Sequence, residues 1–176
     1  MKMLIGCKEE VIQLKKTILN NAKIAYQQMK ERMESSLAAG FFAEAKFGKM
    51  GVDPIDGTPL NLIEQLNQMF SDLVVLECVD RLLTHYPEKK FDIHLGAAAG
   101  FDVESIDGEI AAECFAVTTA TSNRKLEKDC IKLMDKASCK EKYVCFYSYN
   151  DTDEKLQCFY GKYPEINFIR ITEFPI

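Results

Sequence analysis

No apolar run in the 176-residue sequence approaches the roughly 18 residues that a membrane helix needs, so no membrane partner is expected. Collagen-like repeats, low-complexity tracts and blocks of like charge are also missing, which excludes a fibrous or disordered chain. Basic charge is in deficit. Lys and Arg number 22 against 27 Asp and Glu, and the net charge of −5 excludes nucleic-acid binding by bulk charge, leaving only a local basic face. Zinc-motif spacing is lacking too: no cysteine pair is C-x-x-C, and His85 and His94 lie far from any Cys or Asp cluster. His85 reads instead as a cation at a helix C-terminus. The seven cysteines are odd in number, and five sit inside apolar patterns such as Val75-Leu76-Glu77-Cys78-Val79, where a free thiol is a small buried hydrophobe. At the start, only Met3, Leu4 and Ile5 separate Lys2 from Gly6-Cys7, fewer than the roughly 7 to 15 apolar residues of a signal-peptide core. A reducing cytoplasm is the expected location.

Hydrophobic residues make up 47% of the chain and charged residues 28%, enough to bury one core, and the reading is a single domain over 1–176. Its parts are an N-terminal helix and loop (1–58), a core (59–150) and C-terminal strands (151–176). From Glu9 to Ser35, Val11, Leu14, Ile18, Ala22, Ala25 and Met29 recur at helical steps and predict a long amphipathic helix. A loop follows through Gly40, Gly48 and Gly51 to Asp53-Pro54-Ile55-Asp56-Gly57. Thr58 and Pro59 then read as the cap and first turn of a second helix running to Tyr86.

Beyond Pro87 the period changes, predicting strands Phe91–Leu95, Phe101–Ser105 and Glu109–Thr118, with Gly96–Gly100 joining the first two and an Asp107-Gly108 turn the second pair. Ser122 or Asn123 is the expected cap of a third helix that turns Leu126, Cys130, Leu133 and Ala137 inward and Arg124, Lys125, Lys128 and Lys132 largely outward. Strands are expected at Tyr143–Tyr149 and Phe168–Glu173, with a short one at Leu156–Tyr160. The class is α/β, with a central mixed sheet of about five strands flanked by helices.

Glu113 is the most informative residue. Its strand, Ile110-Ala111-Ala112-Glu113-Cys114-Phe115-Ala116-Val117, is apolar on both faces, and a carboxylate there needs a partner. With Asp107 and Gly108 as turn residues, Asp102 faces Glu113 directly, roughly 5 Å away across neighbouring strands. Two such carboxylates suit a shared proton or a hard divalent cation, and magnesium commonly takes one or two carboxylates with water and phosphate oxygens. The plainer alternative is that one acid salt-bridges a helix Lys or Arg.

The string Gly100-Phe101-Asp102-Val103-Glu104-Ser105, a hairpin, and Ala112-Glu113-Cys114-Phe115 resemble the acidic core of the PD-(D/E)xK nuclease superfamily, which includes many restriction endonucleases. The resemblance covers roughly Leu60 to Tyr149. It implies a restriction endonuclease-like fold over the 59–150 core, DNA as partner, magnesium as cofactor and phosphodiester hydrolysis, with Asp102 and Glu113 as metal ligands. It also implies a lysine two residues after Glu113, where this chain has Phe115. A neutral ring cannot stabilise developing charge. Lys125, Arg124 or Lys128 on the third helix is the nearest source of a migrated catalytic cation, and Lys125 is the chosen one. Loss of catalysis is the other outcome, leaving a binding or assembly module with a protein partner in a DNA-processing or defence complex.

Thr118-Thr119-Ala120-Thr121-Ser122-Asn123-Arg124-Lys125 offers hydroxyls, backbone N–H groups and cations to a phosphate, and Arg124, Lys125 and Lys128 are the expected DNA-backbone contacts. Glu64 and Glu77 are further acid candidates on the second helix. The aromatic residues Tyr143, Phe146, Tyr147, Tyr149, Phe159, Tyr160 and Tyr163 read first as core and cross-strand packing, with base stacking as the functional alternative.

Overall fold

A computed structural model describes residues 1–35, 37–96 and 99–174. The first strand, β1 (Lys2–Ile5), leads into α1 (Lys8–Ser35), whose buried line is Val11, Ile18 and Ala25. Glu10 closes the helix start by accepting the Gly6 N–H at 2.7 Å. The expected loop over 36–58 instead contains α2 (Ala38–Phe47), because alanines at 38, 39, 43 and 45 outweigh the single Gly40 in helix propensity. Ser36 lies outside the described residues.

Asp53-Pro54-Ile55-Asp56-Gly57 is the turn of a small hairpin, β2 (Gly51–Val52) with β3 (Pro59–Leu60), in which Asp53 Oδ1 takes the Ile55 and Asp56 N–H groups. Pro59 is therefore in a strand rather than opening a helix. The cap of α3 (Leu62–His85) is Asn61, which accepts the Glu64 N–H at 2.8 Å, and not Thr58.

The main sheet has six strands in the order β1, β4 (Phe91–His94), β5 (Val103–Ser105), β6 (Ile110–Val117), β7 (Glu141–Ser148) and β8 (Ile166–Ile171). Neighbours from β1 to β6 are antiparallel, and β6, β7 and β8 are parallel. The count exceeds the expected five because Lys2–Ile5 pairs with β4. Part of the Gly96–Gly100 connection, Ala97 and Ala98, lies outside the described residues.

One face of the sheet packs on α1 and α3 through Val11, Ile18, Leu73, Leu76, Val103 and Ala112. The other packs on α4 (Lys125–Met134) through Ala111, Phe115, Leu126, Cys130 and Leu133. The expected strand at Leu156–Tyr160 is part of α5 (Asp153–Tyr160), started by Thr152 as cap and by Asp153 and Glu154 at the positive end of its dipole. Neither Ser122 nor Asn123 caps α4. They belong to a 3₁₀ turn that ends with Asn123 and Arg124 both left-handed (φ 53° and 56°), a conformation that is costly for arginine.

Val103 faces Ala112 and Glu104 faces Ala111, a register that brings Asp102 opposite Glu113. The connection is wider than an Asp-Gly turn: Ser105 C=O accepts the Gly108 N–H at 2.8 Å, with Gly108 at φ +72°, where glycine is favoured. A loop longer by one residue on each side keeps the same facing pairs, so the register survives the change of turn. Side chains finish the ladder at both ends. Ser105 Oγ accepts the Ile110 N–H at 2.9 Å, and Asp102 Oδ2 accepts the Cys114 N–H at 2.6 Å. Ser105→Ala leaves the buried Ile110 N–H without its acceptor and should cost about 1–3 kcal/mol in a urea titration. An unchanged midpoint would show that the ladder closes by another acceptor.

Candidate active site

Glu113 stands between Ala111 and Phe115 on the α4-facing side of β6 and is 3% exposed. Burial pushes its carboxyl up to about 7; the charge of Asp102 adds to the rise and Lys132 opposes it. Asp102 is half-buried just ahead of β5, and burial raises its carboxyl against the opposing Cys114 N–H bond and the charges of Lys125 and Lys132. One of its oxygens is committed to Cys114, while Oδ1 makes no hydrogen bond among the described residues. On the Glu113 side, Oε1 is buried and lacks a hydrogen-bond partner. Lys132 Nζ touches that oxygen at 2.5 Å as an ion pair without hydrogen-bond alignment, and it also donates to Gly100 C=O. The sequence reading placed Lys132 largely outward; its ammonium instead lies 4.9 Å from the centre of the Phe101 ring and turns back to the sheet at Glu113.

Lys125, the chosen migrated cation, comes from the first turn of α4. Its Nζ lies 5.4 Å above the Phe115 ring and 2.8 Å from Asp129 Oδ1. Burial works against its charge, but the Asp129 bond and the charges of Asp129, Asp102 and Glu113 outweigh burial and raise its pKa. Arg124 is exposed and paired with Glu127 at 2.6 Å. Lys128 is exposed and lines a groove of 370 Å³ with Asn67, Ser71, Ser122, Asn123 and Lys125 over Phe115. Four N–H groups of the strand-to-helix run are used internally: Ala120 donates to Asp151 Oδ2, Ser122 to Thr119, Arg124 to Thr121 and Lys125 to Ser122.

Two residues that the sequence reading passed over, Asp129 and Asp72, and one that it set aside as too far from any acid cluster, His94, complete the surroundings. Asp129 on α4 is 4% exposed and keeps Oδ2 buried without a partner; burial raises its carboxyl against the Lys125 bond. Asp72 on α3 is 3% exposed, accepts the Gly96 N–H at 2.9 Å and is pushed up to about 6 by burial. Of the two further acid candidates on that helix, Glu64 is exposed and Glu77 is bound to Lys15 (2.9 Å) and Arg81 (3.0 Å). The available signal was an acid inside the apolar run Phe70-Ser71-Asp72-Leu73-Val74. His94 donates its backbone N–H to Asp102 C=O, and its ring fills the space beside Gly100 (φ +122°), where a Cβ would lie 2.4 Å from it.

Among the described residues no group of three His, Cys, Asp or Glu converges to hold a metal by protein donors alone. Asp102 and Glu113 stand opposite each other as two carboxylates; Asp102 keeps Oδ1 without a hydrogen bond, while Glu113 Oε1 carries the ion pair with a helix lysine that a cation would have to displace, and magnesium accepts two carboxylates when water and phosphate complete its shell.

The raised Glu113 carboxyl sets a pH dependence. The native group holds its proton to about pH 7, whereas the unfolded one releases it near the ordinary 4.5, so the native state binds the extra proton and stability falls as pH rises through that window. Glu113→Gln should remove this slope and gain on wild type between those values, by at most roughly 3 kcal/mol. Parallel stability curves from pH 4 to 8 would contradict the assignment.

No protein-family model, curated protein or solved structure matches the chain, so its functional reading rests on the geometry of these side chains.

Proposed function

We propose that this protein is a metal-dependent DNA endonuclease of the PD-(D/E)xK type, with a restriction endonuclease-like fold, in which Asp102 and Glu113 hold magnesium and Lys125 replaces the lysine missing from β6. The observation that carries the reading is Lys125 Nζ above the ring of Phe115, the residue at the lysine's place in the motif. The element order α3, β4, β5, β6, α4, β7 is a helix, hairpin, strand, helix, strand order, which supports the resemblance.

When bound, the ion would polarise a phosphodiester oxygen and make a coordinated water more acidic. Lys125 would place positive charge where the transition state gains negative charge, and Asp129 would hold that ammonium in position. Lys132 would have to leave Glu113 first. Lys128 and the hydroxyls of Ser71 and Ser122 would receive the strand's phosphates along the groove.

A second reading is an inactive nuclease fold that serves as a binding or assembly module. Its support is the Lys132–Glu113 ion pair, which already gives the buried acid a counter-charge, together with Phe115 stacked on Phe146 at 5.3 Å as core.

Calorimetry with manganese and cleavage assays on both duplex and single-stranded DNA separate the two. Under the first reading wild type binds manganese weakly and cuts DNA; Lys125→Ala keeps metal binding but loses roughly 100-fold or more in cleavage rate. Glu113→Ala should lose both. Cleavage that survives Glu113→Ala would place the chemistry elsewhere, and metal binding without cleavage would favour the second reading.

Lys132 supplies an independent check. Lys132→Met frees Glu113 from its competing cation and should bind manganese more tightly than wild type, whereas weaker binding would show that Lys132 organises the site instead of blocking it.

A further inference from the structure

Two grooves meet beside the candidate site. One carries Lys125, Lys128 and the Ser71 and Ser122 hydroxyls; the other, of 460 Å³, is walled by Phe70, Tyr147, Tyr149 and Phe174. Ala116 and Val117 line both, so the grooves share a floor at the C-terminal end of β6. Ligands of open α/β sheets gather outside the carboxyl ends of parallel strands, and β6 and β7 end here. Phe174 stands edge-on to both Phe70 and Tyr147, with centroids 4.9 Å from each, so these rings hold one another in place. Tyr149 is 76% exposed and joins no aromatic pair among the described residues, which leaves its face open to a flat ligand.

Cations and hydroxyls in one stretch and aromatic faces in the next are the two halves of a single-strand binding surface: phosphates meet the first, bases stack on the second. A duplex keeps its bases stacked on one another and presents only their edges, so it cannot use the aromatic half without extruding a base. We infer that the joined grooves form a track for single-stranded DNA, with phosphates against Lys125 and Lys128 and bases stacked on Tyr149 and Phe70. The inference rests on the nuclease reading for the ligand's identity and extends it by naming an unpaired strand as the substrate.

Fluorescence anisotropy tests it with a labelled oligothymidylate of about 12 nucleotides and a duplex of equal length, both in EDTA so that binding is read without cleavage. Wild type is expected to bind the single strand more tightly than the duplex. Tyr149→Ala should weaken single-strand binding roughly 5- to 100-fold, while Tyr149→Phe, which keeps the ring, binds as wild type does. Because Tyr149 is exposed, the variant does not remove core packing. Equal single-strand binding by Tyr149→Ala and wild type, a preference for duplex, or no oligonucleotide binding would overturn the inference. If manganese binding and DNA cleavage are nonetheless lost in Glu113→Ala, the nuclease reading stands without the track. Tyr149-dependent single-strand binding with no metal-dependent cleavage would support the track and overturn the hydrolytic reading.

Discussion

The ion pair between Lys132 and Glu113 ties α4 to the middle of the sheet, and the other charged groups near it are arranged around its imbalance. A carboxylate on a strand covered on both faces loses its hydration, and that loss is the largest influence on Glu113. One ammonium at 2.5 Å offsets only part of it, because Asp102 and Asp129 add negative charge to the same volume. Lys125 is drawn in by the same field. Its bond to Asp129 and its influence on Asp102 follow from three acids enclosed with few cations. The helix that supplies those cations starts from two left-handed residues, Asn123 and Arg124, which set where its first turn begins.

Phe115 shows how packing and chemistry divide along one strand. It is 3% exposed and lies nearly parallel to Phe146, with 13° between the rings, so its apolar surface is spent in the core beneath α4. A lysine in its place would have to desolvate its ammonium among Phe146, Leu126 and Cys130. Bringing a cation in from the helix avoids that burden: Lys125 keeps part of its side chain in solvent and lays its ammonium on the ring's negative face.

The long helices and the strands from Phe91 to Ser148 were legible because their apolar spacing is dense and bounded by turn residues. The facing of Asp102 and Glu113 was legible for a subtler reason, since the register depends on where the loop is centred and not on its length. What failed was decided by short-range chemistry that periodicity does not carry. Asn61 captured the helix start from Thr58 because Pro59 was taken into a strand, and Leu156–Tyr160 became helical because Thr152, Asp153 and Glu154 supply a cap and a favourable dipole. Lys132 and Asp129 were missed because helical spacing tells which face a backbone presents, while a long side chain can fold back across that face. Asp72 was hidden by attention to glutamates, although an aspartate inside an apolar run is the rarer arrangement.

Charge balance links the ion-paired cluster to the proposed chemistry. Asp102, Glu113 and Asp129 face Lys125 and Lys132, so the cluster carries one net negative charge when all five groups are ionised and none when Glu113 keeps its proton. In that state the cluster has no net charge to draw a phosphodiester, and the protein's overall charge of −5 repels one, so binding without a divalent cation falls to the local lysines and aromatic faces of the grooves. A divalent cation on Asp102 and Glu113 would turn the balance to one net positive charge, the amount that a single phosphodiester neutralises. Displacing Lys132 would then leave that ammonium free at the edge of the site, beside the same strand. A cation would therefore convert a cluster that is at best neutral toward a phosphate into one that attracts it.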